Sequence, residues 1–437
     1  MAPLKVLICG AGVAGPALAF WLNRIGCAVT ISERSPEPRY TGQQIDVRGQ
    51  GVTVMRKMGL EAAVRAHGVD EPGLQFVDGN GKRRAFFAAN KTGKGKQTMT
   101  SEFEIMRGDM CRILYDVTKD KTRYIYGVHI KSFEQLQGDG MVRVAFSDGT
   151  EDTFDLLVGA DGQNSTIRRL LLGPDVPDPF YPLGTTLAWV TIPSEEGDTN
   201  FFTGYVAPGG RFIATRKDRE DCLRVYFLVS TTDMSEDHPL RASVKSGSVT
   251  DQKQAWADYF QDVGWRASRF LREITASSMA DDWYACELGQ VRMDSWSEGR
   301  IVLLGDAAFC PSPSSGMGTA SALVGAYVLA GEIAQHCGLS AGDGGCKNSS
   351  SGRVQQGLPA ALQSYDQKLR PFITKVQKMA DHGYGSSLMP KSRLGISILY
   401  LVLGLIETLR IDKLMSSLGS DDVSGWDLPD YAELGKV

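Results

Sequence analysis

Only five histidines occur in the 437 residues, and none stands at metal-ligand spacing from another. A zinc or iron centre therefore has little support. The eight cysteines (9, 27, 111, 222, 286, 310, 337 and 346) form no C-x-x-C pair, and several sit in apolar runs. In a chain this long they read as buried, reduced thiols and not as a disulfide framework. No charge of one sign dominates: 47 basic against 51 acidic residues leave a formal charge of −4. That balance lacks the basic footprint of a nucleic-acid binder, so none is expected as a partner. No apolar run is long enough to span a bilayer. Leu394 to Ile406 is apolar for about 13 residues, flanked by Lys391, Arg393 and Glu407. It reads as a buried or interface-packing helix, with weak peripheral membrane contact as the alternative. Met1-Ala-Pro-Leu-Lys-Val leads straight into a strand with no secretory h-region, so a cytoplasmic protein is expected.

Glycine, in contrast, is plentiful at 49 residues, and it gathers into three motifs. Leu4 to Cys9 is a continuous apolar run suited to a buried parallel strand. Gly10-Ala-Gly12-Val-Ala-Gly15 follows, then an Ala/Leu-rich helix over Ala14 to Ile25, then a second strand from Ala28 that ends at Glu33-Arg34. This is a complete βαβ unit. Gly10 permits a tight turn, Gly12 lets a pyrophosphate approach the backbone, and Gly15 lets the helix pack on the strand. Val13 and Ala14 open that helix, whose N-terminus favours a diphosphate. The Glu33 carboxylate suits ribose hydroxyls and would repel a 2′-phosphate. The second motif is Gly159-Ala-Asp161-Gly162, after the strand Asp155 to Ala160. The third is Gly305-Asp306-Ala-Ala, after Ile301 to Leu304, running on to Gly316-Met317-Gly318-Thr319.

The remaining elements divide the chain into four parts. Residues 1–173 hold the βαβ unit, short helices at Val52–Met58 and Leu60–Ala66, a strand at Phe103–Arg107, a helix over Asp109–Thr118 and a hairpin about Ser147–Thr150. Residues 174–285 begin with four prolines and read as a β-rich unit, with strands at Thr185–Ile192, Phe201–Ala207, Arg211–Thr215 and Leu223–Val229 and helix over 250–275. Residues 286–385 return to the first pattern, with helices at Thr319–His336 and Leu362–Met379, the latter kinked or broken at Pro371. A Gly/Ser/Lys-rich surface loop is expected over 338–357. Residues 386–437 read as a C-terminal helical segment.

With its three motifs in this order, the chain resembles the class A FAD-dependent monooxygenases, a family that includes para-hydroxybenzoate hydroxylase and the tetracycline-inactivating monooxygenases. The resemblance spans roughly residues 4–385. It implies an α/β fold: a Rossmann-like FAD-binding domain, a β-rich substrate domain and C-terminal helices. It implies FAD as cofactor and NADPH (or NADH) as co-substrate, with O2 adding to the reduced flavin as a C4a-hydroperoxide that passes one oxygen atom to substrate. By the same resemblance Asp161 lies near FAD and NADPH, and Asp306 holds the ribityl chain. The amides of Gly316, Met317, Gly318 and Thr319 face the flavin pyrimidine edge. Arg107 and Asp46 lie near the flavin, and Arg34 stacks on adenine. Phe309 departs from the family, many members having histidine there. An aromatic or polycyclic substrate of specialised metabolism is the natural expectation, walled by aromatics among Trp189, Phe201, Phe202, Tyr205, Phe212, Tyr226 and Phe227. No side chain stands out as a catalytic base. Oxidase or dehydrogenase chemistry and a non-redox cyclase remain alternatives. A halogenase is a further one, on the half-match Trp189-x-x-Ile192-Pro193.

Overall fold

The computed structural model describes residues 3–90, 102–136, 140–231, 235, 237–342, 351–381, 389–411 and 422–435. Among them, a six-stranded sheet runs in the order Ser297–Glu298, Ile301–Leu303, Leu156–Gly159, Lys5–Cys9, Ala28–Glu33, Thr122–Tyr126. All neighbours are parallel except the first pair. Val6 to Ile8, Leu156 to Val158 and Ile301 to Leu303 are wholly buried, as parallel strands covered on both faces must be. The helix Ala14–Arg24 crosses between the first two strands. Behind it lies Gly318–Cys337, buried along nearly its whole length, and against that packs Ser351–Asp381. The sheet thus brings Gly10, Gly159 and Leu303, the carboxyl ends of three strands, side by side.

The second sheet has seven strands in the order Tyr284–Val291, Phe180–Pro193, Cys222–Ser230, Arg211–Arg219, Phe202–Ala207, Gly73–Val77, Arg83–Ala88. Its pairs are antiparallel except Phe202–Ala207 with Gly73–Val77. The alternating pattern of the middle block foretells four of these strands. The last two come from the first 90 residues, and Tyr284–Val291 spans the 285/286 boundary. Neither shows in local pattern, because a short strand is defined by the edge it joins.

Three further segments refine what was expected. The Ser351–Asp381 helix passes through Pro359 and Pro371 without breaking. Leu358, Leu362, Tyr365, Leu369, Phe372 and Val376 are fully buried along it, and that burial outweighs the ~3 kcal/mol cost of an interior proline. The loop expected over 338–357 is helical from Ser351; residues 343–350 lie outside the described residues. The apolar segment near the C-terminus is a helix, Arg393–Thr408, of which only Ile396 is buried. Leu399, Tyr400 and Leu403 pack on the second sheet, while Leu394, Ile398, Leu401 and Leu405 face outward. No described helix is long and apolar enough to cross a membrane.

Candidate active site

Gly10 turns with φ +111°, and a Cβ there would lie 2.4 Å from the carbonyl oxygen of Ala160. The first two motifs therefore touch backbone to backbone. A Cβ on Gly15 would stand 2.1 Å from the Gly10 carbonyl oxygen, so the helix rests directly on the turn. Gly12 differs. Its Cβ would meet only Arg107 Nη2, at 3.5 Å, and so faces open space. The fold needs the outer two glycines; the middle one leaves a bare backbone surface. Val13 and Ala14 begin the helix with no side-chain acceptor on their amides. Glu33 steadies this turn: Oε2 accepts from Ala11 N at 2.9 Å and Oε1 from Ser35 N at 3.0 Å. Each oxygen keeps a lone pair for a further donor. Arg34 beyond it is exposed.

Asp306 opens a one-turn helix after Gly305 (φ +65°). Its side chain is reached by solvent, yet burial pushes its carboxyl pKa up while Arg107 pulls it down. A group both accessible and densely surrounded lines a cleft. Tyr284, 44% exposed on the second sheet, stands within electrostatic reach of Asp306. Arg107 is the first residue of the helix Arg107–Asp116 and not the last of a strand. Its Nη1 donates to the Thr41 carbonyl at 3.5 Å. Two glycines with no obvious motif make this possible: a Cβ on Gly108 would strike the Tyr40 carbonyl oxygen at 1.8 Å, and one on Gly42 the Arg107 stem at 3.1 Å.

The third motif ends in a strained loop. Ser312, buried, holds φ +73°, a conformation costly for any residue with a Cβ. Gly316 follows at φ +66°. Of the four amides expected to point outward, Gly316 N binds Pro313 O at 3.0 Å and Met317 N binds Ser315 Oγ at 3.1 Å. Gly318 and Thr319 lie in the first helical turn, where amides lack a helical partner. A Cβ on Gly318 would meet nothing within 4 Å. Gly12 and Gly318 thus offer two bare helix starts, a cradle that fits an elongated diphosphate-containing cofactor.

Asp161 also has a structural role that the sequence did not show. Its carboxylate accepts from Thr166 N at 2.7 Å, Ile167 N at 3.2 Å and the Ser165 hydroxyl, which caps the helix Thr166–Leu172. It shapes the turn beside Gly10. Sequence reasoning missed Arg168 in that helix. Arg168 binds Asp178 through two nitrogens and donates to the carbonyls of Ala307 at 2.9 Å and Gln163 at 2.7 Å. The available signal was its place three residues after the capping Ser165. Asp46 is paired with Arg48 at 3.0 Å, and Arg48 reaches the flavin-side loop: a Gly316 Cβ would lie 3.9 Å from its Nε.

The second sheet sorts the expected aromatics by face. Tyr205 and Phe227 join Ile213 and Val225 under the helices of residues 239–276, packed with Trp256, Phe260 and Phe270. Trp189, Phe212 and Tyr226 share the other face with Leu187, with Phe202 packed beside them. Trp189 lies 6.0 Å from Tyr284, so this face turns toward Asp306. Phe201 packs edge-on against Phe86.

Comparison with known proteins agrees with this geometry. The family described as FAD binding domain matches residues 3–358. The FAD-dependent monooxygenase asL4 of Sarocladium schorii is 43% identical, each chain being covered in full. The flavin-dependent monooxygenase eupH of a Phoma species is 41% identical over 100% of this chain and 99% of its own. The crystal structure of tetracycline destructase Tet(55) superposes with a TM-score of 0.74 at 26% identity, covering 98% of this chain and 99% of that one. The cradle, the cleft beside Asp306 and these likenesses place the chain in the class A FAD-dependent monooxygenases.

Proposed function

We propose that the protein uses NADPH (or NADH) and O2 to insert one oxygen atom into an aromatic or polycyclic small molecule of specialised metabolism. The observation that carries this is the meeting of the first and third motifs at Arg107, which stands beside Gly12 and within electrostatic reach of Asp306, as does the Trp189–Tyr284 face. The full-length relatives are named only as monooxygenases, which supports the reaction class and leaves the substrate to be found. When bound, FAD supplies the redox chemistry, accepting hydride and activating O2 at its C4a carbon.

The chain's own residues bind and orient. Gly10, Gly12, Val13, Ala14 and Gly15 would hold the pyrophosphate against a helix start, and Glu33 the adenosine ribose, with Arg34 at its exposed edge. Asp306 would accept from the ribityl hydroxyls. The amides of Gly318 and Thr319, with Gly316 and Met317 shaping their loop, would stabilise negative charge at the pyrimidine edge. Arg107 adds positive charge from the other side. Asp161 holds the turn, and Asp46 acts through Arg48. Trp189, Tyr226 and Tyr284 exclude water from a flat apolar substrate.

The outward row Leu394, Ile398, Leu401 and Leu405 lies on one side of its helix, with Lys391, Arg393 and Arg410 at the ends. That pattern suits weak contact with an anionic membrane surface.

The deciding experiment follows NADPH oxidation and O2 uptake by the flavin-loaded enzyme across phenolic and polycyclic compounds. Substrate-stimulated consumption with a product one oxygen atom heavier is the expected result. FAD binding with products that gain no oxygen would replace this reading with an oxidase or a cyclase.

A further inference from the structure

Between the two sheets lies a buried polar cluster that the reaction as described does not use. The strands Gln44–Asp46 and Glu104–Met106 pair antiparallel, which sets Asp46 directly opposite Glu104. Directly opposed residues of such a pair put their side chains on the same side, so the Asp46 carboxylate bears on that of Glu104. Gln44 donates its amide to the second oxygen of Glu104. Across the domain seam Arg216, on the cleft-facing side of its strand, lies 3.2 Å from Glu71 and 3.9 Å from Glu104, with its guanidinium 4.8 Å from the centre of the Phe202 ring. Glu71 and Glu104 are 3% and 2% exposed. One Glu71 oxygen, Oε1, is buried without a hydrogen-bond partner.

Charge balance fixes the state of this cluster. Three carboxyl groups share two guanidinium groups: Arg48 pairs with Asp46, and Arg216 lies closer to Glu71 (3.2 Å) than to Glu104 (3.9 Å), so an ionised Glu104 would be a buried anion without a cation of its own. We propose that Glu104 keeps its proton at and above neutral pH, donates it to Asp46, and is the positioning residue tying the Arg48–Gly316 loop to Arg216 on the substrate sheet. The charged and titratable groups facing it are Asp46, Glu71 and Arg216, with Arg48 and Tyr226 next beyond. Burial, the nearby Asp46 and the adjacent Glu71 all favour its neutral form; Arg216 alone opposes. Glu71 also titrates high, at about 7, raised by burial and lowered by Arg216. Above neutrality, then, Glu71 ionises and Glu104 stays neutral. The placement of this chain beside the flavin rests on the proposed function; the proton does not.

The test is infrared difference spectroscopy on the full chain at mildly alkaline pH, with and without FAD. A deuterium-sensitive carboxylic acid carbonyl band is expected, lost in Glu104→Gln and kept in Glu71→Gln. Asp46→Asn leaves Glu104 in place and removes its anionic neighbour, so the band should fade at lower pH than in the parent. Absence of the band, or its survival in Glu104→Gln, overturns the proposal whether or not FAD binds. For the positioning role, Glu104→Gln mimics the protonated acid and should keep the bound-flavin absorption spectrum and FAD affinity. Glu104→Ala should shift the spectrum and weaken FAD by about tenfold. Equal behaviour of the two variants would refute the tie to the loop.

Discussion

Arg168 Nη1 donates to the carbonyl oxygen of Ala307 at 2.9 Å, joining the helix after the mid-chain motif to the turn that carries Asp306. Its side chain is 1% exposed, while that of its partner Asp178 is 33% exposed. Arg168→Met would strand the buried Ala307 carbonyl and the part-buried Gln163 carbonyl, though Asp178 can turn to water. The expected loss is about 3 kcal/mol of stability, with FAD released more readily because the Asp306 turn loosens. Urea unfolding and FAD retention on gel filtration measure both. Unchanged FAD retention would show that the turn holds itself.

Gly12 and Gly15 should separate cofactor binding from folding. A Cβ on Gly12 meets only the mobile end of Arg107, so Gly12→Ala should alter stability by less than about 1 kcal/mol while weakening FAD about tenfold or more. A Cβ on Gly15 meets a backbone carbonyl at 2.1 Å, so Gly15→Ala should cost about 3 kcal/mol in the apoprotein itself. Fluorescence titration with FAD, beside thermal melts without it, distinguishes the two.

Glu332 is fully buried, and burial raises its pKa, yet Lys368, Ser364 and Tyr431 bring it below the ordinary value. Lys368 Nζ lies 2.6 Å and the Tyr431 hydroxyl 2.5 Å from the same carboxyl oxygen. The Tyr431 ring fills the space a Cβ on Gly331 would occupy. Lys368→Met leaves the carboxylate without its cation and should cost about 3 kcal/mol. Limited proteolysis should then cut the tail at 422–435 sooner than in the parent.

Glu71 titrates at about 7 in the folded protein against an ordinary 4.5. The native state therefore binds this proton more tightly than the unfolded chain does. The stability it contributes is full below about pH 4.5 and is lost as pH rises through about 7. The change is at most about 3 kcal/mol. Glu71→Gln should be flatter than the parent over that window when unfolding free energy is measured against pH. Parallel curves would mean that Glu71 is ionised throughout.

Leu401 and Leu405 are 64% and 51% exposed and support no core. Leu401→Glu with Leu405→Glu should leave the melting temperature unchanged and abolish cosedimentation with anionic vesicles. Retained sedimentation would exclude the Arg393–Thr408 helix as the membrane contact.

The cofactor half of the site was legible in the chain wherever the demand is local. Gly10 and Gly15 are required by a turn and a helix contact a few residues apart, and the period of the apolar residues marks the strands on either side. Asp306 was singled out by resemblance to the family, and the structure sets it after a buried strand and a glycine with positive φ. Gly42 and Gly108 were not, because what forbids a side chain at each is remote in sequence: the Arg107 stem for Gly42 and the Tyr40 carbonyl for Gly108.

The sequence by itself determined the nucleotide-binding βαβ unit, the order of the three motifs and the alternation that builds most of the second sheet. These follow from φ, side-chain period and helix-terminus polarity, which neighbours in the chain decide. The tertiary structure alone decided that Asp161 accepts from the first amides of the following helix, that strands from the first 90 residues complete the second sheet, and that Asp46, Glu104, Glu71 and Arg216 share one buried seam. Charge state and burial at such a seam depend on which distant segments exclude water together, and no local pattern encodes that.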